Sequence, residues 1–191
     1  VEKRVLSWFR RKAEESRTAK DLYGASVTQA RQPAFFALQG VSDTPEGRAG
    51  MIMVHLFLVL DRLSGLGAPG ESLARVLTET FVTDMDDCLR EMGVGDLAVP
   101  KRVKRAAAEL HARCLAYRRA MKDGDGTLAG ELAATLPGLD RAPERALLLA
   151  RYMRLAHAAL DAVPSAGMLA GRVTFPPADS MLRDLRSEHP Q

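Results

Sequence analysis

The stretch Asp84-Met-Asp-Asp-Cys-Leu-Arg-Glu-Met-Gly-Val-Gly-Asp-Leu-Ala-Val-Pro-Lys-Arg-Val-Lys104 joins an acidic helix end, a two-glycine turn and a basic helix start. Gly93 is placed to end the first helix in a left-handed cap, and Pro100 has its φ preset for the first turn of the next. The segment predicts a tight helix-loop-helix corner with opposite charges facing each other across it.

Helical periodicity extends in both directions from that corner. Upstream, Leu73, Leu77, Phe81 and Met85 form an i, i+4 ladder, continued by Cys88, Leu89 and Met92, and predict a helix over about 70–92. Downstream, Val103, Ala107, Leu110, Cys114, Tyr117 and Met121 alternate steps of four and three. They predict a helix over 101–121 packed antiparallel on a neighbour and stopped by Asp123-Gly-Asp-Gly126. The run Met51-Ile-Met-Val-His-Leu-Phe-Leu-Val-Leu60 is apolar on every side, which a helix tolerates only when neighbours or lipid surround it. It is far short of the roughly 20 apolar residues of a membrane span, and Arg48, Asp61 and Arg62 flank it, so it reads as the central core helix with His55 in its middle. Asp43 and Glu46, at capping-box spacing with Pro45 between them, mark its start.

Further helices are expected at about 16–31, ended by Pro33, at 127–135 before Pro137, and at 143–162 before Pro164. Pro33-Ala-Phe-Phe36 makes a bulky apolar corner. The expectation is an all-α, single-domain bundle of about six to seven helices. It comprises a basic amphipathic arm over 1–15, a helical domain over 16–163, and a Pro/Gly-containing tail over 164–191 that runs extended over the body before one final helical turn.

A length of 191 residues suits one core, and Ala/Leu/Arg-rich composition with only ten aromatic residues favours helix over sheet. The formal charge of +3 is uneven. Residues 1–20 hold seven Lys/Arg against three Asp/Glu, whereas 21–191 hold twenty against twenty-one, so the body lacks the footprint of specific nucleic-acid binding. In the arm, Lys3, Arg4, Trp8, Phe9, Arg10 and Arg11 are candidates for peripheral contact with a membrane surface; the competing reading docks Trp8 and Phe9 on the domain. Two cysteines, Cys88 and Cys114, make no disulfide framework and behave as small apolar residues, which fits a reducing, cytoplasmic-type compartment.

Candidate chemistry is sparse. Asp84, Asp87 and Glu91 share a helical stripe, with Asp84 at the core edge. One reading is a metal or pyrophosphate site of an isoprenoid enzyme; the other is a carboxylate partnered by His55 or by the helix at 101–122, which holds eight Lys/Arg against one Glu. His55 and His111, with Cys114 three residues beyond His111, raise haem or zinc binding, but no CxxC or HExxH anchors a metal set. No nucleophile elbow, phosphate loop or catalytic cysteine context is present. The expectation is therefore no enzyme, no cofactor, no metal and no small-molecule substrate. Apolar residues outside the ladders (Phe35, Phe36, Leu38, Val41) and the methionines Met51, Met53, Met85, Met92 and Met121 fit either core positions or adaptable partner surfaces.

Several of these motifs together resemble the ubiquinol-cytochrome c chaperone family. They are Leu22-Tyr23-Gly24, Gln29-Ala-Arg-Gln-Pro-Ala-Phe35, Asp43-Thr-x-x-Gly47-Arg48, Asp84-Met-Asp, and Leu89-Arg-Glu-Met-Gly-Val-Gly-Asp96 followed by the basic turn Lys101 to Lys104. The resemblance covers about residues 20–120 and is loose beyond 125. It implies a non-enzymatic assembly factor for respiratory complex III that binds newly made cytochrome b; the Arg/Ala/Gly-rich composition looks bacterial, which places it in the cytoplasm at the inner face of a bacterial inner membrane, or on the matrix side of the mitochondrial membrane if eukaryotic. Mitochondrial members work with a small partner protein and near the ribosome. On this reading Pro33, Phe35, Phe36, Asp84, Arg90, Glu91, Met92, Val94, Asp96, Lys101 and Lys104 form the client or partner surface.

Overall fold

A computed structural model describes residues 2–179, with side chains from Arg10 onward. Its elements are α1 (Glu2–Ala30), α2 (Pro33–Ala37), α3 (Pro45–Ser64), α4 (Gly67–Glu91), α5 (Val99–Asp123), α6 (Asp125–Thr135), a 3-10 turn (Leu139–Arg141), α7 (Pro143–Asp161) and α8 (Ser165–Leu169). The all-α reading holds, and no strand occurs among the described residues.

Every residue from Met51 to Val59 is buried, so the run that is apolar on all sides is the axis of the bundle. α1, α4, α5 and α7 pack around α3, and α6 bridges α5 and α7. No helix among the described residues is long and apolar enough to cross a membrane.

The arm over 1–15 and the helix expected at about 16–31 are one continuous helix, Glu2–Ala30. Ala13-Glu14-Glu15-Ser16 contains neither proline nor glycine, so nothing interrupts the backbone ladder between them. The side chains of Lys3, Arg4, Trp8 and Phe9 lie outside the described residues, and Arg10 and Arg11 are exposed.

The start of α3 also differs in detail. Thr44, not Asp43, is the N-cap, its Oγ1 accepting from Gly47 N at 3.1 Å. Asp43 instead holds Arg48 through Oδ1 to Nε at 2.6 Å and Oδ2 to Nη2 at 3.2 Å. Gly47 is needed for space: a Cβ there would stand 2.0 Å from the Ser42 carbonyl oxygen.

The described part of the tail opens on a helix where an extended path was expected, and the final helical turn expected at its end lies outside the described residues. Pro164 leads at once into α8, and the extended stretch follows, with Phe175 against His55 and with Pro176 and Ala178 offering carbonyls to Gln29 at 2.8 Å and Gln39 at 2.5 Å. This stretch and α2 together fill the seam where α1 comes near α7.

Candidate functional site

At the α4–α5 corner the expected local chemistry is present. Gly93 takes φ +74°, its N–H donating to Arg90 O at 2.9 Å, while Val94 N donates to Leu89 O at 3.0 Å. These are the paired bonds of a Schellman cap, and Pro100 sits in the first turn of α5.

The charges are arranged differently from the expected face-off between helices. Arg90 bridges Asp86 on its own helix at 2.6 Å and Asp96 in the loop at 2.7 Å. Lys101, Arg102, Lys104 and Arg105 stand exposed on α5 and form no ion pair among the described residues. The apolar ladder of α4 is buried at Leu73, Leu77 and Phe81, half-buried at Met85, Cys88 and Leu89, and emerges at Met92, 63% exposed. Leu97 in the loop is 99% exposed, a feature no periodicity reveals because it lies outside any helix. Glu91 and Asp96 are exposed and Val94 half-buried, so Arg90 through Asp96, with Leu97, Lys101 and Lys104, form one accessible surface.

Asp84 is not part of that surface in the expected way. Half-buried, it accepts a 2.6 Å hydrogen bond from the Tyr23 hydroxyl of α1, so its partner is neither His55 nor the basic helix. Burial and the adjacent carboxylate both push the Tyr23 pKa up, which keeps the phenol protonated as donor. Asp87 and Glu91 are exposed. Among the described residues no group of three or more His, Cys, Asp or Glu is placed to hold a metal.

The Pro33–Phe36 corner divides. Pro33 is exposed and Phe36 half-buried under the Arg48 guanidinium, 5.5 Å from its ring centre. Phe35, expected at a partner surface, is fully buried, edge-on to His55 at 5.4 Å and Tyr152 at 5.0 Å. Its place is the α1–α7 seam, so its role is packing.

That seam contains a polar chain the sequence did not disclose. His55 Nδ1 donates to Met51 O at 2.9 Å, which makes Nε2 the acceptor for the Tyr152 hydroxyl at 3.0 Å. Gln29 Nε2 donates in turn to the Tyr152 oxygen at 2.9 Å. Burial drives the His55 pKa down to about 4, so the neutral ring is the working state. Both its nitrogens are engaged inside the core while His111 is exposed on α5, and the two do not form a ligand pair for haem or metal.

A groove of about 610 Å³ lies between α3, α4, α5 and α6. Ala106, Ala112, Ala116 and Ala134 line it with small side chains, and Met53 and Met85 line it as well. Arg113, 9% exposed, reaches it from the buried stripe of α5, between Leu110 and Tyr117. The signal in the sequence was a charged residue at i+3 from Leu110 within an apolar ladder.

Comparison with known proteins gives a consistent assignment. The family described as Ubiquinol-cytochrome C chaperone matches residues 38–175. The crystal structure of the Cbp3 homolog from Brucella abortus has a TM-score of 0.81 and 31% sequence identity, over 92% of this chain and 98% of that one. No curated protein matches.

Proposed function

Since this chain belongs to the ubiquinol-cytochrome C chaperone family, we propose that it binds newly synthesised cytochrome b and supports assembly of ubiquinol-cytochrome c reductase, without catalysing a reaction itself. The observation that carries the reading is the family match across the core of the bundle, α3 through α8, in a chain whose fold follows the Brucella structure nearly end to end. The α4–α5 corner supports it: two large apolar side chains, Met92 and Leu97, stand in water beside a ridge of uncompensated cations, an arrangement that costs solubility unless a partner covers it.

On this reading the protein works at the inner face of a bacterial inner membrane, where its client inserts. The cations of the first helix, Arg10 and Arg11 among them, meet the lipid surface. A small partner protein or the ribosome would share the corner.

The test is capture of newly translated cytochrome b from a cell-free reaction containing membranes, with an unrelated membrane protein as control. Selective capture is expected, and Met92→Asp combined with Leu97→Asp is expected to weaken it at least several-fold without moving the thermal midpoint, since both side chains are exposed. Failure to capture, with cell extract added to supply a missing partner, refutes the reading.

A further inference from the structure

The outer face of α5 carries charge of one sign. Its other sides pack on α3, α4 and α6. On a helical wheel Lys101, Lys104, Arg105, Arg119 and Lys122 fall within about a third of the circumference, with Ala108 and Leu115 between them. All five cations are exposed and form no ion pair among the described residues. The row runs roughly 30 Å along the helix. Asp123, at its far end, is the one carboxylate of α5 in that sector. The acids nearby are engaged elsewhere: Glu109 with Arg113, Asp61 with Arg118 at 2.6 Å, and Asp96 with Arg90 at 2.7 Å. Asp84 and Asp87 of α4 line a cleft against α1.

The row works against local helix stability. Lys101 and Lys104 stand near the N-terminus of α5, the positive end of its dipole, and the first turn holds no acid to offset them. Lys101 and Arg105 are like charges one turn apart, as are Arg118 and Lys122. An anionic surface laid on this face removes both costs.

We propose that the outer face of α5 lies on an anionic bilayer, its cations on lipid phosphates and Leu115 at the headgroup boundary, so that the α4–α5 corner is held at the membrane surface. A straight row on a rigid helix matches a flat surface. Leu115 is 42% exposed amid the cations, and Leu97, just before the helix, is 99% exposed. Aliphatic side chains beside lysine and arginine suit an acyl boundary, where the long cationic stems also find apolar cover. Single-stranded RNA is read by stacking on aromatic rings, and the one aromatic residue of α5, Tyr117, is fully buried. The setting rests on the membrane location read above, whereas the charge pattern holds whatever the client.

The experiment is flotation of the full chain with vesicles of equimolar phosphatidylcholine and phosphatidylglycerol, against pure phosphatidylcholine. Binding to the anionic vesicles alone is expected. Arg105→Gln/Arg119→Gln/Lys122→Gln, all exposed and outside the client surface, should weaken it roughly hundredfold, from about fivefold for each cation near such a surface, with a melting curve that shows an intact fold. Arg10→Gln/Arg11→Gln is run beside it, because the first helix is also basic. No flotation, or flotation that survives the α5 variant, overturns the proposal; loss with the first-helix variant alone then places the contact there. A duplex RNA that strips the protein from the vesicles at equal phosphate makes the face a nucleic-acid site and overturns it as well. No client is present, so this result and cytochrome b capture fail independently. Capture without α5-dependent flotation removes the membrane face and keeps the chaperone reading, whereas flotation without capture does the reverse.

Discussion

Acid should weaken this protein through one residue in particular. His55 is completely buried and its pKa is lowered from 6.5 to about 4, chiefly by burial. The unfolded chain therefore binds a proton at this site over a pH range in which the folded protein refuses it. Stability from His55 is fully present above the unfolded value and declines as pH falls toward 4. Between about pH 7 and about pH 4.5 the loss is on the order of 2 kcal/mol, a sizeable part of the 5–15 kcal/mol typical of a domain. Other groups titrate too. His157, its pKa raised by the Asp61 carboxylate 3.0 Å away, stabilises in acid and loses that contribution as pH rises through its folded value. Asp61, its pKa lowered by the hydrogen bond from His157, runs the other way. These contributions cancel in a comparison with His55→Leu/Tyr152→Phe, which removes the imidazole and the hydroxyl that donates to it together. Urea unfolding of both proteins at the two pH values is the assay. The wild type should lose on the order of 2 kcal/mol more than the double variant on acidification. Equal losses would refute the claim that a neutral, hydrogen-bonded His55 holds the seam.

Two further perturbations follow from the same packing. Phe35→Ala empties a fully buried site between His55 and Tyr152 and should cost about 3–5 kcal/mol, or about 6–20 °C in thermal midpoint; a shift under about 2 °C would place Phe35 outside the core. Thr44→Ala removes the side-chain acceptor for Gly47 N and should cost about 1 kcal/mol in a denaturant melt, whereas Asp43→Ala, which breaks only an exposed ion pair, should cost less.

The helices were legible because their ends and faces are local chemistry. Pro33, Pro45, Pro100, Pro143 and Pro164 mark boundaries by the N–H they lack and the φ they impose, and Gly93 marks one by the positive φ it alone adopts easily. The all-apolar run in α3 required neighbours on every side, so its central place followed from composition. Local spacing at the N-cap was less decisive, since Asp43, Thr44 and Glu46 all carry side chains able to cap and only the backbone path selects Thr44.

Contacts between residues distant in the chain could not be read this way. Phe35 has the bulk and corner position of a surface anchor as much as of a core residue. What buries it is the arrival of Tyr152, more than a hundred residues later, and of the tail carrying Phe175, which makes the other side of the seam. Asp84 was placed at the core edge by its helical stripe, but its partner is Tyr23, because α1 and not the basic α5 passes beside it. Arg113 reads as one more cation on a basic helix until α3, α4 and α6 close around it and bury its guanidinium beside Glu109 and Tyr117. Periodicity says which face of a helix turns inward; only the packed bundle settles which side chain it meets there, because that contact depends on the angles and offsets at which whole helices cross.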